Sequence, residues 1–273
     1  MTIRTEGLAL HAEQFKGRLN DYHDRFAALA GAYDGTSNQS AALEAVIDDY
    51  AAFVIDEDSQ CAWAKLEAQL SVPPLRTLIE SLRSASAQCV AIMEKYRAIR
   101  LLEGQIERSA YFRNIESCIE QEFGSFGVGS DATIVLVGSG AFPMTPLFVA
   151  RQTGAAVIGV DIDPEAIALG RQVIDRLGEG LDIRLEGVSV DKLEAIGSAT
   201  HIIFSSTVSV KYALLDRLHG LTGSDVVVAM RYGDRLKSLF NYPMEPVDAR
   251  KWRLAETVLR PGQVFDIALY RKA

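Results

Sequence analysis

The chain is poor in what would tie it to a metal, a membrane or an oxidising compartment. Its three cysteines, Cys61, Cys89 and Cys118, are odd in number and widely spaced. No CxxC pair is present, which removes a disulfide framework and a zinc knuckle. They read as small apolar packing residues in a reducing cytoplasm. His11, His23, His201 and His219 are scattered without ligand spacing, so no metal site is expected. No window of about 18 uninterrupted apolar residues occurs, which argues against a membrane span. The opening run Met1-Thr2-Ile3-Arg4-Thr5-Glu6-Gly7 lacks the apolar core of a secretory signal. Positive charge is in deficit too: 28 Lys and Arg against 36 Asp and Glu leave a net charge of −8. That balance disfavours nucleic acid and anionic membrane as the main partner. The expected location is the cytoplasm.

What is present divides into two periodicities. Up to about residue 125 the pattern is helical. Phe15, Leu19, Tyr22, Phe26 and Leu29 recur at spacings of three and four. A turn at Tyr33-Asp34-Gly35-Thr36 follows, and Asn38 or Ser40 is positioned to cap a second helix running to about Phe53. After Pro73-Pro74, the residues Leu75, Leu78, Ile79, Leu82, Cys89, Met93 and Tyr96 line one face of a long helix. From Thr133 onward short Val/Ile/Ala runs alternate with amphipathic stretches. The expected strands are 133–137, 155–160, 182–186, 201–205, 225–230 and 263–270. This alternation implies a mostly parallel sheet with helices on both faces. The expectation is therefore a helical domain over 1–125 and an α/β, Rossmann-like domain over 126–273, divided in the Gly-rich segment 124–131.

The most informative run is Val135-Leu136-Val137-Gly138-Ser139-Gly140-Ala141-Phe142-Pro143-Met144-Thr145. A buried strand enters a glycine turn, and the next strand closes on Asp161, placed to accept ribose hydroxyls; a solvated loop acid is the alternative. Pro143 occupies the place of the third glycine in a dinucleotide loop. Proline has no N–H and cannot copy that glycine's close contact, which weakens an NAD or FAD reading. No Gly-Lys-Ser/Thr follows, so a Walker loop is absent. S-adenosylmethionine (SAM) carries no phosphate and tolerates such a loop. Asp163 before Pro164 reads as a helix N-cap. Ser205, Ser206 and Thr207 end a strand and form a third crevice wall or a hydroxyl-rich turn. Arg231 and Tyr232 end the next strand, where the guanidinium can meet a substrate carboxylate bidentately or form a surface ion pair.

These residues together resemble nicotianamine synthase. The resemblance rests on 137–145, on Val160-Asp161-Ile162-Asp163-Pro164, on Met230-Arg231-Tyr232-Gly233 and on Leu239-Phe240-Asn241-Tyr242-Pro243. Upstream, Ala110-Tyr111-Phe112-Arg113-Asn114 is similar to the family's aromatic-rich segment, but departs from the consecutive tyrosines and asparagines of plant members. Length and the helical N-terminal half look most like the bacterial branch that makes opine-type metallophores, staphylopine and pseudopaline. The resemblance implies a SAM-methyltransferase-like domain and Gly138, Ser139, Gly140, Pro143, Thr145, Asp161, Ile162, Ser205, Ser206 and Thr207 as donor contacts. It implies transfer of the 3-amino-3-carboxypropyl (2-aminobutanoyl) arm of SAM to the amino group of histidine, releasing 5′-methylthioadenosine. L-histidine is favoured over D-histidine by overall similarity to the pseudopaline branch alone. A downstream opine dehydrogenase would consume the product.

The acceptor ammonium must lose a proton before it attacks. Glu94 has Val90, Ala98 and Leu101 as helical neighbours, an apolar setting suited to a raised pKa; Arg97 at i+3 offers an ordinary surface pair instead. Tyr111 matches the family's active-site tyrosine segment, or packs as an aromatic at a helix start. Tyr96 lies on the apolar stripe and reads as core. An ordinary SAM-dependent methyltransferase, nicotianamine synthase proper and a SAM-binding sensor are the rival readings. A homodimer is compatible with the apolar helical half.

Overall fold

Stripes of large apolar side chains decide the helical half. The computed structural model describes residues 2–66, 73–105 and 128–273, with side chains from residue 13 onward. In α1 (Thr2–Gly31) the stripe Phe15, Leu19, Tyr22 and Phe26 is buried as expected, and Leu29 packs beside it. α2 (Ser40–Ile55) starts after Gln39 without a side-chain cap. The cap expected from Asn38 or Ser40 is replaced by a backbone turn, in which Ser40 N–H donates to Ser37 O at 3.0 Å. α3 (Glu57–Leu66) follows, then α4 (Pro73–Leu102), which opens on its proline pair, where the missing N–H costs no helical bond. Leu75, Ile79, Leu82, Cys89, Met93 and Tyr96 of α4 are buried. Cys61 is exposed, contrary to its expected packing role, because it lies on the outer face of a short surface helix. Cys118 and Tyr111, with the expected boundary at 125, lie outside the described residues.

The second half is an open sheet: β1 (Thr133–Val137), β2 (Ala156–Val160), β3 (Ile183–Glu186), β4 (His201–Phe204), β5 (Val227–Tyr232), β6 (Trp252–Val258) and β7 (Asp266–Lys272). Their spatial order is β3-β2-β1-β4-β5-β7-β6. The first five are parallel, and β7 runs antiparallel to both neighbours. The helices α5 (Met144–Thr153), α6 (Pro164–Leu177) and α7 (Lys211–Leu218) connect them. β6 was not among the expected strands. It is an edge strand with residues 253–257 exposed and a register shift between Leu254 and Glu256, so it carries no apolar run. Strand order reverses between β1 and β4, and the crevice beyond their carboxyl ends is where such sheets bind ligands.

The two faces of the sheet bury different cores. Ile134, Leu136, Ile203, Ala229, Ile267 and Leu269 join the cluster that holds Phe26, Tyr50, Phe53 and Tyr96 of the helices. Val135, Val137, Phe204, Met230, Tyr232 and Tyr270 join the opposite one. The helical half is thus continuous with one sheet face and shares its core. Tyr50 strengthens that junction, donating its hydroxyl to Leu239 O at 3.0 Å with its ring edge-on to Phe240.

Candidate active site

The glycine turn is held by backbone bonds. Gly138 N–H and Ser139 N–H both donate to Val160 O, at 2.9 and 3.1 Å. Gly138 and Gly140 have φ of 81° and 66°, the left-handed region that glycine enters without a Cβ penalty. A Cβ on Gly138 would lie 2.7 Å from Val208 Cγ2, so β4's loop also requires the bare backbone. Pro143 sits at the N-terminus of α5 with φ −74°, compatible with its ring. The close helix contact that a third glycine would make is supplied by Gly170 of α6. A Cβ there would stand 3.1 Å from Gly140 O.

The two aspartates after β2 do different work. Asp161 accepts Gly140 N–H at 2.9 Å through Oδ2 and Asp163 N–H at 3.0 Å through Oδ1, tying the two loops together. Each carboxylate oxygen retains acceptor capacity for a ribose hydroxyl. Asp163 caps α6 as expected, accepting from Glu165 N–H and Ala166 N–H. Ile162 stands out into solvent at 80% exposure, a large apolar group left open beside Asp161.

A narrow cleft, open to solvent, joins the glycine loop to the ends of β4 and β5. Its lining includes the expected Glu94, Gly138, Ser139, Thr145, Ser205, Ser206, Thr207 and Arg231, with Val90, Phe142, Met144 and Phe265 added. Arg231 is buried and donates from Nη1 to Thr145 Oγ1 at 3.1 Å, its guanidinium 5.1 Å from the Phe265 ring centre. Tyr232 is not in the lining. Successive residues of a strand face opposite sides, so Tyr232 enters the core with Trp252 and Tyr270, where burial pushes its phenol pKa up. Ser139 Oγ is buried and has no hydrogen-bond partner among the described residues, a polar atom left for a ligand at the cleft.

Glu94 comes to this cleft from α4. A Cβ on Gly140 would overlap its Oε2, so the glycine's bare backbone makes room for the carboxylate. Burial pushes the Glu94 pKa up to about 8, and the Asp161 charge adds to the rise; Arg97 and Ala141 N–H act in the opposite direction. Val90, Ala98 and Leu101 are buried as expected. Arg97 is half-buried beside the glycine loop. Its guanidinium lies over the Phe142 ring at 4.4 Å and donates to Met144 Sδ at 3.0 Å, facing the glycine loop. Lys95, which follows Glu94, anchors α4 to α6: its Nζ lies 2.7 Å from Asp163 Oδ2 and 2.6 Å from Glu165 Oε2. Tyr33 donates to Glu165 Oε1 at 2.6 Å and closes the cluster.

Comparison with known proteins shows the family of this chain. A relative from Pseudomonas aeruginosa, L-histidine 2-aminobutanoyltransferase, is 34% identical over 223 residues, covering 81% of this chain and 82% of its own. The chain belongs to the L-histidine 2-aminobutanoyltransferase family. A Yersinia pestis member is 30% identical over 194 residues, covering 70% of this chain and 71% of the relative. No family model matches the chain. Among solved structures, a glutamate-to-glutamine variant of the nicotianamine synthase MtNAS has a TM-score of 0.74 at 17% identity, covering 94% of this chain and 97% of that one. MtNAS in complex with MTA and tNA gives 0.71 at 18% identity, covering 95% and 98%. At these identities the structures establish the shared fold, helices preceding a seven-stranded sheet.

Sequence reasoning missed Lys95, Tyr33, Phe142, Met144 and Phe265 in the cleft and its supports. Phe142 and Met144 stood inside the loop and were readable as lining. The contact of Tyr33 with Glu165, 132 residues away, carries no local signal.

Proposed function

We propose that the protein transfers the 2-aminobutanoyl group of SAM to the amino group of L-histidine and releases 5′-methylthioadenosine. Membership of the family supports the donor and acceptor. The observation that carries the chemistry is Glu94, a half-buried carboxyl whose pKa is raised to about 8, seated against the donor loop. A group of that pKa is matched to take a proton from an amine near neutrality. The acceptor nitrogen attacks the methylene carbon next to sulfur. The carbon–sulfur bond breaks with its electron pair going to sulfur, and the proton released from nitrogen passes to Glu94.

The sulfonium supplies the activation, so the protein's task is orientation. Asp161 and the glycine loop hold the nucleoside, with Ile162 and the 205–207 turn beside it. Arg231, with Thr145 and Phe265 fixing its guanidinium, receives a substrate carboxylate. Val90, Phe142 and Phe265 keep the reacting carbon away from water. The helical half forms the acceptor side and lid, and Tyr111 assists at the acceptor. The same reading includes a cytoplasmic location, an opine dehydrogenase downstream and a homodimer.

Incubation with SAM and L-histidine, with mass analysis of the products, tests this. Methylthioadenosine and a 2-aminobutanoyl-histidine are expected. S-adenosylhomocysteine alone would make the protein a methyltransferase, and D-histidine turned over faster than L-histidine would correct the acceptor.

A further inference from the structure

Lys211 opens α7 and its side chain has no solvent exposure. Both circumstances are unfavourable for an ammonium, since burial removes its hydration and a helix N-terminus is already positive. Its three donors are nevertheless all satisfied by main-chain oxygens. Nζ donates to Arg231 O at 2.8 Å, to Tyr242 O at 2.9 Å and to Ser206 O at 3.3 Å. These three oxygens come from the turn after β4, the end of β5 and the segment returning beside both. Ser206 and Arg231 line the cleft, and Tyr242 N–H donates in turn to Ser206 O at 3.0 Å. Burial draws the Lys211 pKa down to about 7, while the Glu245 charge raises it and the Arg83 charge lowers it further. Three carbonyl oxygens at hydrogen-bond distance favour the protonated form against that burial, and the group fastens the three segments together.

We propose that Lys211 is a positioning residue: by gathering the main-chain oxygens of Ser206, Arg231 and Tyr242, it sets the depth at which the Arg231 guanidinium meets a substrate carboxylate. This rests on the assignment of Arg231 as the carboxylate anchor. Arg231 is paired with Ile267 of β7, but β4 pairs no further than Met230, so on that side Lys211 holds its carbonyl while Thr145 holds its guanidinium. Removing Lys211 frees that side of the anchor and leaves the β7 pairing and the Thr145 bond. Both the donor and the acceptor amino acid carry an α-carboxylate, and the two are separable by ligand choice.

The test uses the full chain with Lys211→Met and Lys211→Gln, the latter keeping an amide donor that reaches part of the cluster. Binding is measured for SAM against decarboxylated S-adenosylmethionine, and for histidine against histamine. Affinity for one carboxylate ligand should fall about 10- to 100-fold in Lys211→Met, its decarboxylated counterpart should change about 2-fold or less, and Lys211→Gln should recover part of the loss. In the double variant with Arg231→Gln the two losses should overlap instead of adding. Equal losses for ligands with and without the carboxylate, or additive losses in the double variant, would overturn the proposal while leaving Arg231 as anchor. If Lys211→Met does not fold, the same comparisons made on Lys211→Gln decide it. Should Arg231→Gln alone spare both carboxylate ligands, the anchor assignment fails first and the proposal falls with it.

Discussion

The two walls of the cleft are built on opposite principles. The glycine-loop wall is fixed by bonds to its own backbone: Val160 O and the Asp161 carboxylate hold Gly138, Ser139, Gly140 and Asp163 through main-chain N–H groups. The facing wall on α4 contributes side chains, Val90 and Glu94 at the cleft with Lys95 and Arg97 bracing it, delivered by the packing of a 30-residue helix. Local backbone bonding tolerates little sequence change but depends on few distant contacts. The side-chain wall depends on the whole shared core being in place. Where they meet, at Gly140 and Glu94, each limits what the other can be.

Glu94→Gln tests the side-chain wall most severely. If Glu94 takes the acceptor proton, kcat should fall about 100- to 10,000-fold while SAM still binds, as read by steady-state kinetics and calorimetry. The variant also has a pH signature. The folded carboxyl keeps its proton up to about 8, against 4.5 for its ordinary value, so over that interval the folded state binds the extra proton. Wild-type stability in the absence of ligands should therefore fall as pH rises through the interval, and Glu94→Gln should flatten the slope in thermal melts. An unchanged slope would remove Glu94 from the site's electrostatics.

Gly140→Ala strikes the other wall. The φ of 66° costs an alanine about 1–2 kcal/mol, and the added methyl displaces Glu94 Oε2. SAM affinity should weaken roughly tenfold, equivalent to about 1.4 kcal/mol. Adding Glu94→Ala should recover the part caused by overlap and none caused by backbone strain. Full recovery would mean that the loop is less constrained than its bonds imply.

Lys95→Met separates the walls more gently. Its partners Asp163 and Glu165 have side chains 36% and 44% exposed, so solvent screening limits the loss to about 1 kcal/mol in chemical denaturation. Burial alone would raise the pKa values of both acids, but the Lys95 ammonium outweighs it and holds them below the usual carboxylate range. The contribution of this cluster is thus present above ordinary carboxylate pKa values and lost as pH falls through the lowered ones. If Lys95→Met left the acid limb of stability unchanged, the ion pairs to Asp163 and Glu165 would contribute nothing measurable to holding α4 on α6.

Much of the molecule was legible because its causes are local. The stripe Phe15, Leu19, Tyr22 and Phe26, the turn at Gly138 and Gly140, and the cap at Asp163 each follow from spacings of a few residues. Edge strand β6 escaped because exposure on both sides leaves no apolar alternation to read. Tyr232 was grouped with Arg231 by adjacency, yet strand geometry sends neighbours to opposite faces. Lys211 gave no signal at all, since a lysine at a helix start looks like surface until three carbonyls are found around it.

The sequence by itself determined the helical half, the alternating strands, the conformation of the glycine loop and the family to which its motifs point, because each is set by hydrophobic period, turn chemistry or contiguous residues. Only the tertiary structure decided that Glu94 meets Gly140, that Lys95 joins Asp163 and Glu165, and that Lys211 fastens Arg231. Those pairings lie 20 to 70 residues apart in sequence. Sequence separation says nothing about them; the shared core and the register of the sheet bring them into contact.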